Sequence, residues 1–206
     1  MLRCLRTAIR SLDGEPRRPA KLLASMAVGV TGGVGGLVGA AALPVELPVT
    51  TTIMLRSIAD IARHNGEDLS HIEARLACLQ VFALGGRRNG MARTDVGYFA
   101  ARALLTRVTG NAAAYLVERG AAELSGPMVS GFVSELVKRF SIVLSDRIAA
   151  SAVPVVGAIG GATVNVIFMN HFQQIAEGHF TVRLLERLYG IPLVRQHYAE
   201  FAAPAH

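Results

Sequence analysis

Four side chains of alternating charge follow one another at helical spacing: Arg56, Asp60, Arg63 and Glu67. Steps of four, three and four residues place them along one helix face, next to threonines 50–52. If that face is buried, it is a candidate catalytic or ligand-binding ladder, with Arg56 and Asp60 at its centre. If it is exposed, each pair contributes only about 0.3 kcal/mol to helix stability. Opposite charges four residues apart are typical of solvated helices, so the pattern favours the exposed face.

Asn165 is a further candidate for ligand binding. Its predicted helix face is otherwise apolar and carries Phe168, Met169, Phe172 and Ala176. An unpaired amide in such a place costs about 1–3 kcal/mol, which leaves two interpretations. The amide either hydrogen-bonds a neighbouring helix or lines a polar spot in an apolar cavity. The first is favoured, because amides often join close-packed helices.

His171 and His179 are eight residues apart, with Glu177 between them. They share a helix face only if the helix continues through Gly178, so the metal signature is weak. Histidines at the surface, or hydrogen-bonded within a fold, are the more frequent case, and we expect no metal. His171 remains a candidate polar group for a ligand-binding pocket.

A glycine-rich loop at residues 85–90 carries two arginines, and a third follows shortly after: Arg87, Arg88 and Arg93. Three guanidinium groups beside flexible backbone amides could bind the phosphate of an anionic lipid headgroup. The alternative, which the composition favours, is an ordinary exposed loop at the end of a helix.

Established catalytic and cofactor motifs are missing from the chain. It contains no GxSxG turn, no HExxH pair and no glycine run followed by Lys-Ser or Lys-Thr. The glycine-rich segment also fails GxGxxG, because Val38 stands where the third glycine is required. We therefore expect no cofactor, and the sequence identifies no catalytic residue.

The composition is that of a heavily apolar protein whose first 21 residues are basic. Of 206 residues 51% are hydrophobic and 17% charged, against about 25% charged in an average soluble domain. The net charge is +6, and residues 1–21, with six basic and two acidic side chains, hold +4 of it. Without a wider basic stripe or stacking aromatics, nucleic acid is not an expected partner. The basic head is either attracted to anionic cytoplasmic lipid or a loose solvated terminus.

Two long segments lack any charge, residues 22–45 and 148–170. Both are long enough to span a bilayer, but the first holds six glycines, which weaken an isolated helix. Glycines four residues apart, such as Gly29 and Gly33, allow close helix packing, so a buried or membrane-inserted hairpin is favoured over two independent spans. A cleaved signal peptide is disfavoured, because the charged head and the apolar stretch are both too long.

The remaining apolar spacing is close to 3.6 residues and predicts an all-α domain of about seven or eight helices. One helix is expected from residues 48–50 to Asn65-Gly66, with Met54, Ile58 and Ile61 facing inward. A second begins with Ser70 and Glu73 as a capping box and ends at Gly85-Gly86. A third covers residues 101–116, a fourth covers 132–144, and a last one ends at Gly190. The predicted organisation is a basic head (1–21), a helical domain (22–192) and a C-terminal tail (193–206).

Five stretches together resemble the EcsC family of bacteria over about residues 20–190. They are LPVTTTIMLRSIADIARHNGEDL (47–69), EARLACLQVFALGG (73–86), GYFAARALL (97–105), AVPVVGAIGGATVNVIFMNHFQQIA (152–176) and HFTVRLLERLYG (179–190). The founding member of the family looks like a companion in the gene neighbourhood of an ABC-type exporter, and the resemblance implies a helical architecture. It implies no catalytic residues.

We therefore expect a membrane-associated, non-enzymatic accessory of an envelope or transport process, on the cytoplasmic side of the bacterial membrane. Its expected partners are membrane lipid or an apolar ligand, a transporter or other envelope protein, and a second copy of itself. The alternative is a membrane-proximal hydrolase acting on a lipid or peptide. That alternative requires Arg56, Asp60, Asn165 and His171 to converge in one pocket.

Overall fold

The computed structural model describes residues 2–12, 43–85, 95–119 and 157–202, and the single positions 27, 131 and 134. The protein is all-α, as predicted, and these ranges contain no strand. Six helices lie within them: α1 (Leu2–Arg10), α2 (Leu43–His64), α3 (Ile72–Gly85), α4 (Asp95–Arg119), α5 (Gly157–Tyr189) and α6 (Ile191–Ala202). The first glycine-rich segment and the helix predicted at 132–144 lie almost entirely outside the described residues, so the total of seven or eight helices stays a prediction.

Helix α2 ends where the sequence predicts and begins earlier. Gly66 has a φ of +78°, a conformation that a glycine adopts without strain. The predicted inward residues Met54, Ile58 and Ile61 are each 1% exposed. The predicted start near Pro48 is wrong, because the helix begins at Leu43 and includes that proline.

Helix α3 forms the centre of the described fold, with α2, α4 and α5 packed around it. Every residue from Leu76 to Gly85 is buried, so α3 is covered on all sides rather than on the single face that the spacing predicts. The rings of Phe82 and Phe172 lie 5.0 Å apart. A Cβ added at Gly85 would lie 2.4 Å from Phe172, so α3 and α5 approach more closely than any other residue allows.

The start of α3 differs from the predicted capping box. The Asp68 carboxylate accepts the backbone N–H of Ser70 at 2.9 Å, and Arg75 N–H donates to the carbonyl of His71. The Ser70 hydroxyl contacts the His71 ring, and Glu73 is exposed. An aspartate turn therefore leads into α3, in place of a reciprocal bond between Ser70 and Glu73.

Helix α1 packs against α2, so residues 2–12 of the basic head are part of the fold and are not a loose terminus. Leu5, Ala8 and Leu12 are buried in the core. Apolar residues three and four apart give α1 one apolar side, and that side is the one that α2 covers.

Helix α5 continues through Gly178 and ends at Tyr189, where Gly190 has a φ of +86°. The predicted end at Gly190 is confirmed. The chain then forms α6, which lies against α5 and α4 and includes residues that the sequence assigns to a tail. The ring of Tyr198 stacks on Tyr98 with centroids 5.7 Å apart, and this contact attaches α6 to α4.

Candidate functional site

The charged ladder is largely buried, which corrects the prediction of a solvated face. Its first three members lie on α2, and Glu67 follows in the loop after that helix. Asp60 is 7% exposed and Glu67 9%. Arg56 donates to the carbonyl oxygen of Ser11 at 3.2 Å, and Arg63 donates to that of Leu12 at 2.9 Å. These cations therefore satisfy backbone acceptors at the end of α1, where the helix dipole is negative. The spacing cannot show this, because the covering helix lies about 50 residues away in sequence.

Asp60 holds one of these arginines in place. Its carboxylate accepts a bond from Arg63 Nη2 at 2.7 Å. Both side chains are mostly buried, with 10% and 17% exposed. The pair orients the guanidinium towards α1, and this contact stabilises the junction of α1 and α2.

Asn165 and His171 both lie in α5. Asn165 is 1% exposed, so its predicted direction into the core is confirmed. His171 donates from Nε2 to the carbonyl of Gly85 at 3.0 Å and thereby satisfies the end of α3. The contacts of Arg56, Asp60 and His171 thus join helix ends at two separate places. Ligand binding at these residues stays a prediction, and Arg87, Arg88 and Arg93 lie outside the described residues.

Glu67 joins the loop after α2 to the end of α5, a contact that the sequence does not predict. Its carboxylate accepts two bonds from Arg183, at 2.8 and 3.0 Å, and another from Arg187. Arg187 also donates to the carbonyl of Asn65 at 2.6 Å. Burial raises the pKa of Glu67, but the hydrogen bonds and charges of the two arginines outweigh burial and hold the pKa below its usual value.

A second unpredicted contact joins α4 to α5 through Tyr98 and His179. The Tyr98 hydroxyl lies 3.1 Å from His179 Nδ1, and His179 is 1% exposed. Burial, with Arg102 and Arg183 nearby, lowers the pKa of His179 to about 3, so the ring is neutral at pH 7. Burial also raises the pKa of Tyr98 to about 12, so the hydroxyl is the donor.

Two turns further along α5, Glu186 accepts two bonds from Arg102 at 2.9 and 2.5 Å. Both side chains are mostly buried. Together with Tyr98 and His179, this pair fixes the register of α4 against α5. Because these groups are closed to solvent, their geometry suits a structural role rather than acid–base chemistry on a substrate.

An open cleft of about 460 Å³ lies between the end of α1 and the loop joining α2 to α3. Its lining includes Ile9, Arg63, Glu67, Leu69 and Arg75. Arg75 is half-buried, and its Nε donates to the carbonyl of Leu69 at 2.5 Å. The lining combines apolar side chains with guanidinium groups.

Two further surface features lie among the described residues. On α1, Arg3, Arg6 and Arg10 are exposed at spacings of three and four residues, which forms a basic face. Residues 188–193, which we call the α5–α6 corner, expose four large apolar side chains: Leu188, Tyr189, Ile191 and Leu193. Single exposed apolar residues are ordinary in a soluble protein, but a consecutive set marks an interaction surface.

Neither a metal site nor a membrane span is found in the described ranges. No three His, Cys, Asp or Glu side chains come together there as metal ligands. None of the helices described is both long and apolar enough to cross a bilayer. The glycine-rich segment at 22–45 lies outside those ranges, apart from positions 27 and 43–45, so the predicted hairpin stays a prediction.

Comparison with known proteins yields one match. The model of the EcsC protein family matches residues 6–185, which is most of the chain. The chain belongs to the EcsC protein family. The EcsC match begins inside α1 and ends in the last turns of α5, so it includes the packed part of the basic head. No curated protein and no solved structure gives a significant match.

Proposed function

We propose that this EcsC protein is a non-enzymatic accessory of an envelope or transport process that docks on the anionic surface of the cytoplasmic membrane. The observation that carries the proposal is the basic face of α1. Its apolar side is buried against α2, so α1 is a fixed part of the fold that presents Arg3, Arg6 and Arg10 outward.

A basic face of this kind is attracted to anionic lipid through its charge. Each arginine close to a membrane containing anionic lipid contributes about 1 kcal/mol of binding free energy, and the attraction falls off within a Debye length. Arginines on one basic face therefore give reversible attachment, which is too weak for permanent anchoring. Salt-sensitive, peripheral binding is therefore the expected behaviour.

The contacts of the predicted ligand-binding residues support the accessory role over the hydrolase. Arg56, Asp60 and His171 hold helix ends in place, and the Tyr98–His179 pair is closed to solvent. A hydrolase needs a nucleophile or a base that a substrate can reach.

The test is sedimentation of the full chain with vesicles of phosphatidylcholine alone, or with added phosphatidylglycerol, at low and high salt. We expect binding only to the anionic vesicles, and weaker binding at high salt. The variant Arg3→Gln/Arg6→Gln/Arg10→Gln should lose most of this binding, whereas Arg107→Gln, an exposed arginine of α4, should lose little. These exchanges keep α1 folded, whereas deleting the head would also remove Leu5, Ala8 and Leu12 from the core. Equal binding by the triple variant and the wild type would refute the proposal.

A further inference from the structure

We infer that the α5–α6 corner enters the membrane surface and places its apolar side chains below the lipid headgroups. The inference rests on the proposed function, because it names the part of the molecule that inserts once the basic face of α1 has brought the protein to the lipid.

The first reason is exposure. Four large apolar side chains lie within six residues, separated only by Gly190 and Pro192. Their exposed fractions are 64% for Leu188, 62% for Tyr189, 52% for Ile191 and 44% for Leu193. Side chains of these types are normally covered. A closely spaced exposed set therefore indicates a surface that contacts an apolar partner. A tyrosine among aliphatic residues suits the membrane interface, where its ring meets the acyl chains and its hydroxyl meets water.

The second reason is that the corner is already ordered. Gly190 N–H donates to the carbonyl of Glu186 at 3.0 Å, and Val194 N–H donates to that of Gly190 at 3.3 Å. Pro192 restricts the backbone further. Because the corner is already ordered, it loses little conformational entropy when it inserts. This loss therefore offsets little of the free energy gained when its apolar side chains enter the membrane.

The third reason is charge, which distinguishes lipid from a second copy of the chain. Arg187 and Arg195 flank the corner, and residues 187–199 contain no acidic side chain. The preceding Glu186 is held by Arg102. Arg187 shares the Glu67 carboxylate with Arg183, so these three side chains keep one net positive charge. Together with Arg195 that charge complements anionic lipid phosphates, whereas two copies meeting through the corner would bring like charges together.

The fourth reason is position. Arg187 bonds the carbonyl of Asn65 and the carboxylate of Glu67, so the corner borders the loop between α2 and α3. Ile9 of α1 lines the cleft beside the same loop. The corner and the end of α1 therefore border the same loop between α2 and α3.

The chain contains no tryptophan, so one introduced tryptophan reports from its own position alone. We would compare Tyr189→Trp with Leu104→Trp, an exposed position of α4, on phosphatidylglycerol vesicles with and without brominated acyl chains. We expect a blue shift and strong quenching for Tyr189→Trp and neither for Leu104→Trp. The double variant Leu188→Ser/Ile191→Ser should keep its helical circular dichroism and lose at least about tenfold in the binding that remains at high salt.

Each outcome decides between the two proposals. Binding to anionic vesicles with no blue shift or quenching at position 189 overturns insertion and leaves the proposed function standing. No binding of the wild type to any vesicle overturns both. A blue shift that grows with protein concentration in the absence of lipid, together with a doubled mass, assigns the corner to a second copy and overturns insertion.

Discussion

Helices α3 and α6 are similar in length, 14 and 12 residues, and opposite in their surroundings. In α3 every residue from Leu76 to Gly85 is buried, including Gln80, whose amide bonds the hydroxyl of Thr109. In α6 none of the side chains that the structure describes is buried, although Ile191, Leu193 and Phe201 are large and apolar. Apolar content therefore does not decide which helix forms the core. The surrounding helices decide this: α3 packs against α2, α4 and α5, whereas the main contacts of α6 with the other described helices are those with α5 and α4.

Truncating one phenylalanine in each helix tests whether α3 is buried in the core and α6 is not. Phe82 is fully buried against Phe172, so Phe82→Ala should lower the free energy of unfolding by about 3–5 kcal/mol. In a chain of this size that corresponds to a fall in Tm of roughly 10 °C. Phe201 is 90% exposed, so Phe201→Ala should change stability by less than about 0.5 kcal/mol. Thermal unfolding of both variants checks the prediction, and similar losses would contradict the contrast.

A second test concerns the closest approach of α3 to the rest of the core. The methyl group of Gly85→Ala would overlap the ring of Phe172, which is itself fully buried, so we expect a loss of about 1–3 kcal/mol. The matched control is Gly178→Ala in α5, where a Cβ meets nothing within 4 Å. That variant should gain about 0.5–1 kcal/mol, because alanine favours the helix. Urea midpoints of the two variants should therefore move in opposite directions.

A third test concerns how α6 is attached, and its effect appears as a dependence on pH. Tyr198 of α6 stacks on Tyr98, whose hydroxyl bonds the buried, neutral His179. The folded-state pKa of His179 is about 3, against 6.5 for the free side chain, so the unfolded state binds the extra proton between these values. Stability should therefore fall as the pH is lowered from about 6.5 towards 3, by at most about 1.4 kcal/mol per pH unit.

His179→Gln isolates this contribution, since glutamine does not titrate. Its stability at pH 7 is expected to be lower than that of the wild type, and its decline between pH 6.5 and 4.5 should be flatter. The pKa of Glu67 is held below its usual value, so the stability that this carboxylate contributes to the protein is lost only at lower pH, as the carboxylate protonates. Chemical denaturation at several pH values measures both slopes. Identical slopes in variant and wild type would show that His179 is not the titrating group.

The parts of the fold that sequence predicts are those with local causes. Helix ends at Gly66, Gly85 and Gly190 are predicted because a glycine can end a helix without strain, and the first and last of these have positive φ. The stripe Met54, Ile58 and Ile61 is predicted because helical periodicity brings these residues to one side. The burial of Asn165 follows from the same periodicity.

The parts that sequence does not predict depend on distant residues. The contact of Glu67 with Arg183 spans 116 positions, and that of Arg102 with Glu186 spans 84. No local spacing signals either pair. The face of α2 that carries Asp60 has the pattern of a solvated helix, and only the position of α1 shows that it is covered. The sequence does not predict that the corner is exposed either, because Leu188 and Ile191 are of residue types that usually lie in a core.

The central position of α3 has a consequence during synthesis. Phe82 is translated 90 residues before Phe172, the ring it packs against. At ribosomal rates of about 5–20 residues per second, this interval lasts about 5–20 s. Until α5 emerges, the side of α3 that α5 covers stays unburied on the nascent chain. The ribosome-bound protein therefore presents to chaperones an apolar surface that the finished protein hides.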